Sequence, residues 1–455
     1  MLYASSYTPT NAFPSQIWEN VAQLLPHQDL SSLARVSSDT LPHARKAMYE
    51  VIDLESLLPH VTRLCIGTLA SYPDLALLVQ AFKSPVLPSF DDQRGPLPSL
   101  SFAFALYNMK NLVSLSLPRF ENDLFHYTTF RLKHLSLGCG AMSVLDQEHF
   151  SRWLTTQSDM TFLSLSALTT ELKHPHCIPV HRPSEPDRVG LARFTFPTSP
   201  PRSSSIPNLR KFDGPISLVQ DLIPGRPVSE VVIHVNKTLY DGLRPSQLMS
   251  SIAKSTAPIE RLSIHSSPSS VIDARTMERL LMSAGAKFGP SVLHLEIGWA
   301  ADDERTLYQH MLSILPRFSN LQTLNCVPAL APPSVVSFAT VDQDLLTSPV
   351  TPPPYLLSFP HMCTPEAKPT PRLLSFPLPT LSDCGASDAA RARERSLIKS
   401  WIKTCPSLTT VTFLCGAEWC VIKRKRRISM KGTRPTGVAD DPLMCVPSFV
   451  RWRRA

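Results

Sequence analysis

The sequence predicts an α/β protein in which three short N-terminal helices precede a long series of strand–helix units. Two observations predict this fold: a strand-forming phrase of apolar residues recurs along most of the chain, and helical patterns lie between its copies. A length of 455 residues suits a repeat array or two to four average domains, and 43% hydrophobic residues are enough to build a substantial core.

The first element is a helical segment over residues 13–56. Four apolar residues recur at i, i+4, i+7 and i+8 and share one stripe of a helix: Ile17, Val21, Leu24 and Leu25. Pro14 can open this helix and Pro26 must end it. Apolar residues from Leu30 to Val36 predict a second helix, and those from Leu41 to Tyr49 predict a third. So small a unit buries little apolar surface, so we expect it to lean on a partner.

This segment resembles an F-box, the module that docks substrate receptors on the Skp adaptor of SCF ubiquitin ligases. The matching residues are Phe13-Pro14, Ile17, Val21, Leu24-Leu25-Pro26, Asp29-Leu30, Leu33, Val36-Ser37 and Tyr49-x-x-Ile52-Asp53-Leu54. The sequence departs from the family pattern at Gln16, where an acidic residue is common, and at residues 38–40, where Ser, Asp and Thr replace basic and aromatic residues. The alternative is an ordinary three-helix cap on the following domain.

The resemblance implies an adaptor-binding surface made of apolar side chains. Its candidate residues are Phe13, Pro14, Ile17, Val21, Leu24, Leu25, Pro26, Leu30, Leu33 and Val36. Not all of them can face outward, because some must build the small core of the module. We expect Pro14, Ile17 and Leu25 to be the anchors of the interface.

The strand-forming phrase has the pattern apolar-x-x-apolar-x-apolar. Clear copies begin at Val61, Leu112, Leu132, Met160, Val228, Ile259, Val292, Leu321 and Leu408, with a weaker copy at Leu209. The last two apolar residues of each copy alternate as in a strand, which places both on one face. Helical patterns between the copies cover residues 146–157, 245–254, 273–287, 302–315 and 388–404, and several begin at Asp, as an N-cap or a first-turn anion should.

A short strand followed by a helix, repeating at intervals of 20 to 33 residues, is typical of a leucine-rich-repeat solenoid. We predict such a solenoid over residues 57–422, with parallel strands on the concave side and helices on the convex side. Because the repeats lack the Asn or Cys of the longer consensus, they resemble the irregular leucine-rich repeats found behind F-boxes, notably in fungal proteins. The alternative is a doubly wound α/β sheet, which shows the same alternation of elements.

Proline-rich composition predicts two disordered insertions. Residues 173–208 hold eight prolines in 36 residues, and residues 328–382 hold thirteen in 55, densities at which neither a helix nor a central strand persists. We also predict a disordered N-terminus over residues 1–12 and a basic C-terminal tail over residues 423–455.

The sequence lacks the usual catalytic patterns, so we expect a protein that is not an enzyme and needs neither cofactor nor metal. It contains no G-x-x-x-x-G-K-[ST], G-x-S-x-G or H-E-x-x-H. Gly138-Cys139-Gly140 begins a dinucleotide fingerprint but is followed by Ser143 where the third glycine should be. The cluster of His174, His176, Cys177 and His181 has metal-ligand residue types, but it lies in a proline-rich insertion without a second pair at finger spacing.

The net charge of +8 comes almost entirely from the C-terminus. Residues 417–455 hold ten Lys or Arg against three Asp or Glu, so the rest of the chain carries about +1. We therefore expect no specific nucleic-acid binding, and with no stretch of about 20 apolar residues we expect no membrane span. The run Lys423, Arg424, Lys425, Arg426 and Arg427 is either a nuclear-import signal or a charged guard for the edge of a last strand over residues 419–422.

Ten cysteines without a C-x-x-C pair favour a reducing compartment, so we expect the protein in the cytoplasm, the nucleus or both. The resemblance implies the substrate-recognition subunit of an SCF-type E3 ubiquitin ligase, bound to a Skp-family adaptor and through it to a cullin, with an unknown protein substrate on the repeat surface. The alternative is a non-catalytic interaction scaffold whose F-box-like cap does not bind the adaptor.

Overall fold

The computed structural model describes residues 14–55, 57–85, 98–138, 144–165, 205–266, 272–299, 304–328, 388–421 and 443–446. Within these ranges the protein is mixed α/β, with thirteen α-helices and one sheet of thirteen strands. Several sequence predictions fall outside them: the N-terminus with Phe13, nearly all of both proline-rich insertions, the His/Cys cluster at 174–181 and the basic run at 423–427.

The order of the strands in the sheet is their order in the chain. The strands are β1 Val51–Asp53, β2 Ala81–Lys83, β3 Ser114–Leu117, β4 His134–Leu137, β5 Phe162–Ser164, β6 Lys211–Pro215, β7 Glu230–Val235, β8 Arg261–Ser266, β9 His294–Trp299, β10 Thr323–Pro328, β11 Thr410–Thr412, β12 Glu418–Val421 and β13 Leu443–Val446. Every neighbouring pair from β1 to β11 is parallel, whereas β12 pairs antiparallel with both β11 and β13.

The strand-forming phrase produces the sheet because its apolar residues meet in register. One continuous row crosses twelve strands and is buried throughout: Ile52, Phe82, Leu115, Leu135, Leu163, Phe212, Val231, Leu262, Leu295, Leu324, Val411 and Trp419. Side chains one position before or after these residues point to the opposite, open face of the sheet. The predicted strands from Leu112 to Leu408 are thereby confirmed, including the weaker copy at Leu209.

The predicted strand at Val61 is wrong. The segment is part of helix α4, and Thr62, Ile66 and Leu69 are buried there at i, i+4 and i+7, which is helical spacing. Of the apolar residues in this copy Ile66 is buried but Leu64 is 69% exposed, so the phrase does not mark the buried face of the helix. The first two strands, β1 and β2, are instead three residues long and do not carry the phrase.

The helices lie between the strands in sequence. They are α1 Ser15–Leu24, α2 His27–Leu33, α3 Leu41–Glu50, α4 Pro59–Ser71, α5 Pro73–Ala76, α6 Pro98–Asn108, α7 Asn122–Phe125, α8 Val144–Leu154, α9 Ile216–Leu222, α10 Pro245–Ile252, α11 Ala274–Phe288, α12 Glu304–Ile314 and α13 Asp388–Thr404. Consecutive helices contact each other: α10 contacts α11, and α11 contacts α12. The predicted cap is present at α11, where the Asp273 carboxylate accepts a hydrogen bond from the Thr276 amide. None of the helices in these ranges is long and apolar enough to cross a bilayer.

One large hydrophobic core runs along the sheet from Ile52 to Trp419. Aromatic side chains fill its C-terminal end: the rings of Trp401 and Phe413 stack with centroids 5.6 Å apart, and the ring of Tyr308 meets both edge-on. The predicted last strand is present as β12, but the expectation that it ends the sheet is wrong because β13 pairs with it.

The three N-terminal helices have a small core of their own, formed by Ala22, Leu30, Leu33 and Ala44. They join the sheet without a linker, since α3 ends at Glu50 and β1 begins at the next residue. The Gln80 amide donates a hydrogen bond to the Glu50 carbonyl at 2.9 Å, and Tyr49 packs against the large core. The helical module is therefore attached directly to the first strand.

Candidate functional site

Helix α1 presents an apolar stripe to the outside of the helical module. Its inward side chain is Ala22, which is buried, and Trp18 packs partly against the same small core. Ile17, Val21 and Leu24 lie on the opposite side and are 44%, 37% and 86% exposed. These three side chains are not part of the small core. We refer to Ile17, Val21 and Leu24 as the α1 stripe.

The predicted adaptor-binding residues divide into surface and core positions. Those exposed are Pro14, Ile17, Val21, Leu24, Pro26 and Val36; Leu25 is partly buried, Leu30 and Leu33 are buried, and Phe13 lies outside the described residues. Two of the three expected anchors, Pro14 and Ile17, are therefore on the surface. Leu25 packs against the small core, and its neighbour Leu24 takes the outward position.

Polar contacts hold the three helices in place beneath the α1 stripe. The Thr40 hydroxyl is buried and donates to the Leu33 carbonyl at 2.9 Å, which joins the end of α2 to the start of α3. Lys46 on α3 pairs with Glu19 on α1, and this hydrogen bond lowers the pKa of the Glu19 carboxyl. The first contact joins α2 to α3 and the second joins α1 to α3, in addition to the apolar packing of the small core.

The open face of the sheet carries a row of paired carboxylates and imidazoles on four consecutive strands. His234 on β7 donates from Nε2 to Asp213 Oδ1 on β6 at 2.7 Å, and His265 on β8 lies 3.3 Å from Glu296 Oε1 on β9. The two imidazole rings stack between them with centroids 5.7 Å apart. We call Asp213, His234, His265 and Glu296 the carboxylate–imidazole row.

Hydroxyl and amide groups extend this row on both sides. Ser164 on β5 donates to Asp213 Oδ2 at 2.9 Å, and Asn325 on β10 bonds to Glu296 while accepting from Thr412 on β11 at 3.1 Å. Side chains from seven consecutive strands, β5 to β11, thus make lateral contacts across the open face. Such contacts hold the polar groups in fixed positions before any partner arrives.

A glycine makes room for this row. Gly298 on β9 is the neighbour of His265, and a Cβ at this glycine would lie 2.3 Å from His265 Nδ1. Real side chains do not approach so closely. The absence of a side chain at position 298 therefore allows the imidazole to lie across β9 and reach Glu296.

The surroundings of both carboxyls favour their ionised form. Burial by itself raises the pKa of Asp213, but the hydrogen bond and charge of His234 and the hydrogen bond from Ser164 outweigh it, so the pKa lies below its ordinary value. The hydrogen bond with His265 lowers the pKa of Glu296 in the same way, against a smaller opposing effect of burial. The row therefore presents two fixed negative charges, each paired with an imidazole.

The contacts of the row do not match a nucleophilic catalytic site. Ser164 donates to Asp213 rather than to an imidazole, whereas an activated hydroxyl needs its base within hydrogen-bond reach. Across the described ranges no group of three or more His, Cys, Asp or Glu residues is arranged to hold a metal ion.

A shallow groove of about 470 Å³ lies beside the row, at the beginning of strands β4 to β7. It is lined by His134, Thr161, Phe162, Arg210, Lys211, Ser229 and Glu230. The Lys211 ammonium lies over the Phe162 ring at 5.3 Å and pairs with Glu230 at 3.4 Å. The open face thus combines an aromatic surface with charges of both signs.

Sequence reasoning missed the carboxylate–imidazole row, although a signal for it was present. His234 and His265 directly follow the phrases that begin at Val228 and Ile259, and Glu296 occupies an unconstrained position of the next phrase. Aligning those phrases by register would have placed the three side chains on one face.

The functional argument rests on the geometry of the α1 stripe and of the open face of the sheet. No protein-family model matches the sequence, and a search of curated proteins likewise gives no match.

Proposed function

We propose that this protein is the substrate-recognition subunit of an SCF-type E3 ubiquitin ligase. In this proposal the helices α1 to α3 are an F-box that docks on a Skp-family adaptor, and the sheet with its helices is an irregular leucine-rich-repeat solenoid that binds the protein substrate. The observation that carries the proposal is the α1 stripe: a module with its own small core leaves Ile17, Val21 and Leu24 exposed on one side of one helix.

The order of the strands supports the solenoid interpretation. A doubly wound sheet reverses its strand order at a switch point, whereas here each strand from β1 to β11 pairs in parallel with the next one in the chain. The open face is the surface on which we place the substrate. Its carboxylate–imidazole row and groove provide fixed polar groups and one aromatic ring for recognition.

In this role the protein acts by proximity and supplies no catalytic group. Holding a substrate beside a ubiquitin-charged enzyme raises the effective concentration of the substrate's lysines. The direct junction between α3 and β1 supports this mechanism, because the docking module cannot swing freely on a linker relative to the first strands. A substrate on the sheet is then held at a defined distance from the adaptor.

Adaptor binding tests the proposal. Burying a large apolar side chain is worth about 1.5–3 kcal/mol, and Leu24 and Ile17 are 86% and 44% exposed. The double variant Ile17→Ala with Leu24→Ala should therefore lose about 3 kcal/mol of binding free energy, or about 100-fold in affinity. We would measure this with purified Skp-family adaptor by surface plasmon resonance.

A matched control separates the interface from the general loss of exposed apolar surface. Leu312→Ala on α12 removes a side chain that is 40% exposed in a distant unit, and it should bind the adaptor like the wild type. If the wild-type protein does not bind the adaptor at micromolar concentration, the ligase proposal is wrong. If the double variant binds with unchanged affinity, the α1 stripe is not the docking surface.

The second candidate function is a non-catalytic interaction scaffold. It is favoured by residues 38–40, where the sequence departs from the F-box pattern. In the structure Thr40 is buried and serves the module's own fold through its bond to the Leu33 carbonyl. Failure of the adaptor experiment would leave this candidate in place.

A further inference from the structure

Exposed apolar side chains are concentrated at the N-terminal end of the molecule. Of the sixteen large apolar side chains that are exposed within the described ranges, fourteen lie between Ile17 and Tyr127, and only Tyr240 and Leu312 lie beyond. The N-terminal part of the molecule therefore exposes more large apolar side chains than the rest of the described residues. The α1 stripe accounts for three of these residues, so most of the exposed apolar side chains lie outside it.

The largest share belongs to the neighbouring helices α4 and α6, which pack against each other. On α6, Leu100, Phe104 and Tyr107 follow one another at helical spacing and lie on one stripe; they are 53%, 59% and 42% exposed. Leu64 on α4 is 69% exposed. We call these four residues the α4–α6 face.

This face has apolar residues where a surface helix normally carries charges. The opposite side of α6 is already buried through Phe102, Ala105 and Leu106, and the helix contains no Asp, Glu, Lys or Arg. In contrast, α13 carries exposed charged residues, among them Arg391, Arg393 and Arg395. A helix that is apolar on all sides is normally buried, which indicates that a partner covers this face.

The composition of the face favours a second copy of the same chain as that partner. Interfaces between identical subunits are more apolar than transient ones, are depleted of charge at the centre and are enriched in aromatic residues. Here Phe104, Tyr107 and two leucines form an uncharged centre, and Lys110 and Arg63 stand next to it in sequence as polar rim residues. Two such surfaces can meet without bringing like charges together.

The stripe on α6 also has the symmetry that self-association requires. In a two-fold dimer each residue contacts the same surface of the other copy. If two copies of α6 pack antiparallel, Phe104 lies close to the two-fold axis, because it is nearly midway between Leu100 and Tyr107. Leu100 of one copy then lies opposite Tyr107 of the other, which pairs an aliphatic with an aromatic side chain at both ends.

The exposed apolar surface is large enough for a stable dimer. Four further exposed residues, Leu57, Leu58, Tyr72 and Leu77, lie at the two ends of α4 and just after α5, a helix that touches both α4 and α6. Together with the α4–α6 face, these four residues expose roughly 800 Å² at most, taking about 200 Å² for a whole residue of this size. A standard interface buries about 800 Å² on each partner. We propose that this protein forms a two-fold homodimer through the α4–α6 face.

The state of association of the full chain tests this proposal. Analytical ultracentrifugation across the micromolar range should show a dimer for the wild type and a monomer for Phe104→Glu, because the substitution places two carboxylates near the axis. Leu312→Glu on α12 is the matched control and should remain dimeric. A wild-type protein that stays monomeric throughout this range overturns the proposal, and so does a Phe104→Glu variant that still dimerises.

Mixing two charge variants tests the symmetry directly. Phe104→Glu and Phe104→Lys should each be monomeric alone and should form a dimer when mixed in equal amounts, since opposite charges then meet at the axis. A mixture that stays monomeric overturns pairing about Phe104. Circular dichroism must show that each variant keeps the wild-type helix content and a cooperative melting transition, although a monomer should melt somewhat lower than a dimer. If one variant does not, Leu64→Glu on the neighbouring helix provides the same measurement.

The adaptor proposal and the dimer proposal fail independently, because they rest on different residues. Phe104→Glu should bind the Skp-family adaptor with unchanged affinity for each chain. Conversely, the variant Ile17→Ala with Leu24→Ala should dimerise like the wild type. A loss of dimerisation in this second variant would show that the α1 stripe belongs to the self-association surface, which overturns the placement of the interface on the α4–α6 face.

Discussion

Replacing Gly298 with Ala should disrupt the carboxylate–imidazole row. The added Cβ would lie 2.3 Å from His265 Nδ1 and 3.1 Å from the His265 Cα. The imidazole can rotate away, but the Cα belongs to the neighbouring strand and can move only with it. We therefore expect His265 to lose its contact with Glu296 and its stacking on His234, with a small displacement of β8 from β9.

Three contributions determine how much Gly298→Ala changes the free energy of unfolding. A charge-assisted hydrogen bond is worth about 1.5–3 kcal/mol, and partial exposure of both partners reduces this to about 1 kcal/mol. Inserting a methyl group into a closely packed site costs about 1–3 kcal/mol, whereas replacing glycine stabilises the folded state by about 0.4–1 kcal/mol through the unfolded chain. We expect Gly298→Ala to lower the free energy of unfolding by about 2 kcal/mol.

Urea unfolding followed by circular dichroism measures this change, and a double-mutant cycle assigns it. With His265→Ala as background the clash with the imidazole is gone and only the close approach to the Cα at 3.1 Å remains, so Gly298→Ala should be within about 1 kcal/mol of neutral. Gly67→Ala is a matched control in α4, where a Cβ would meet nothing within 4 Å; it should stabilise by about 0.5–1 kcal/mol. Equal effects of Gly298→Ala in both backgrounds would refute the argument.

Three further predictions concern acid stability, a buried arginine and the basic run. The folded-state pKa values of Asp213 and Glu296 lie below the ordinary values of 3.8 and 4.5. The two carboxylates therefore stabilise the fold at a pH above these ordinary values, and this contribution is lost as the pH falls through the lowered, folded-state pKa values. The variant Asp213→Asn should lose less stability than the wild type in an acid titration followed by circular dichroism. Arg226 is buried and donates to the carbonyls of Ser205, Asp221 and Leu222 at 2.8–3.1 Å, so Arg226→Ala should lower the free energy of unfolding by about 3 kcal/mol in urea, and a loss below about 1 kcal/mol would contradict this assignment. If residues 423–427 are an import signal, replacing all five with Ala should move a fluorescently tagged protein from the nucleus to the cytoplasm; an unchanged distribution would argue for the charged-edge alternative.

The strands were predictable where burial alternates with period two. In the copies from Leu112 to Leu408, the last two apolar residues fall in buried rows that neighbouring strands share. The strands β1 and β2 contain one buried residue each, Ile52 and Phe82, and a single apolar residue produces no alternation. The strand β13 was missed because it lies within the segment read as a basic tail.

The candidate sites were less predictable because they depend on contacts between distant residues. The α1 stripe was found as a set of apolar residues, but the sequence placed Leu25 outward and could not show that Leu24 takes that position. The orientation of α1 is set by how α2 and α3 pack against it, through residues such as Leu30 and Ala44. The pairing of Asp213 with His234 likewise depends on the register between two strands.

The order of the strands also affects how the chain reaches its fold. Each strand of the sheet pairs only with its neighbours in sequence, so the search for a partner strand is local and an assembled unit offers a template for the next. Even the connection between β10 and β11, which spans 81 residues where that between β9 and β10 spans 23, keeps the register of Leu324 with Val411. Closing the longer loop costs only about 1 kcal/mol more, because this entropy grows with the logarithm of length. Long segments can therefore be gained or lost at such junctions during evolution at small energetic cost, while the sheet on either side stays aligned.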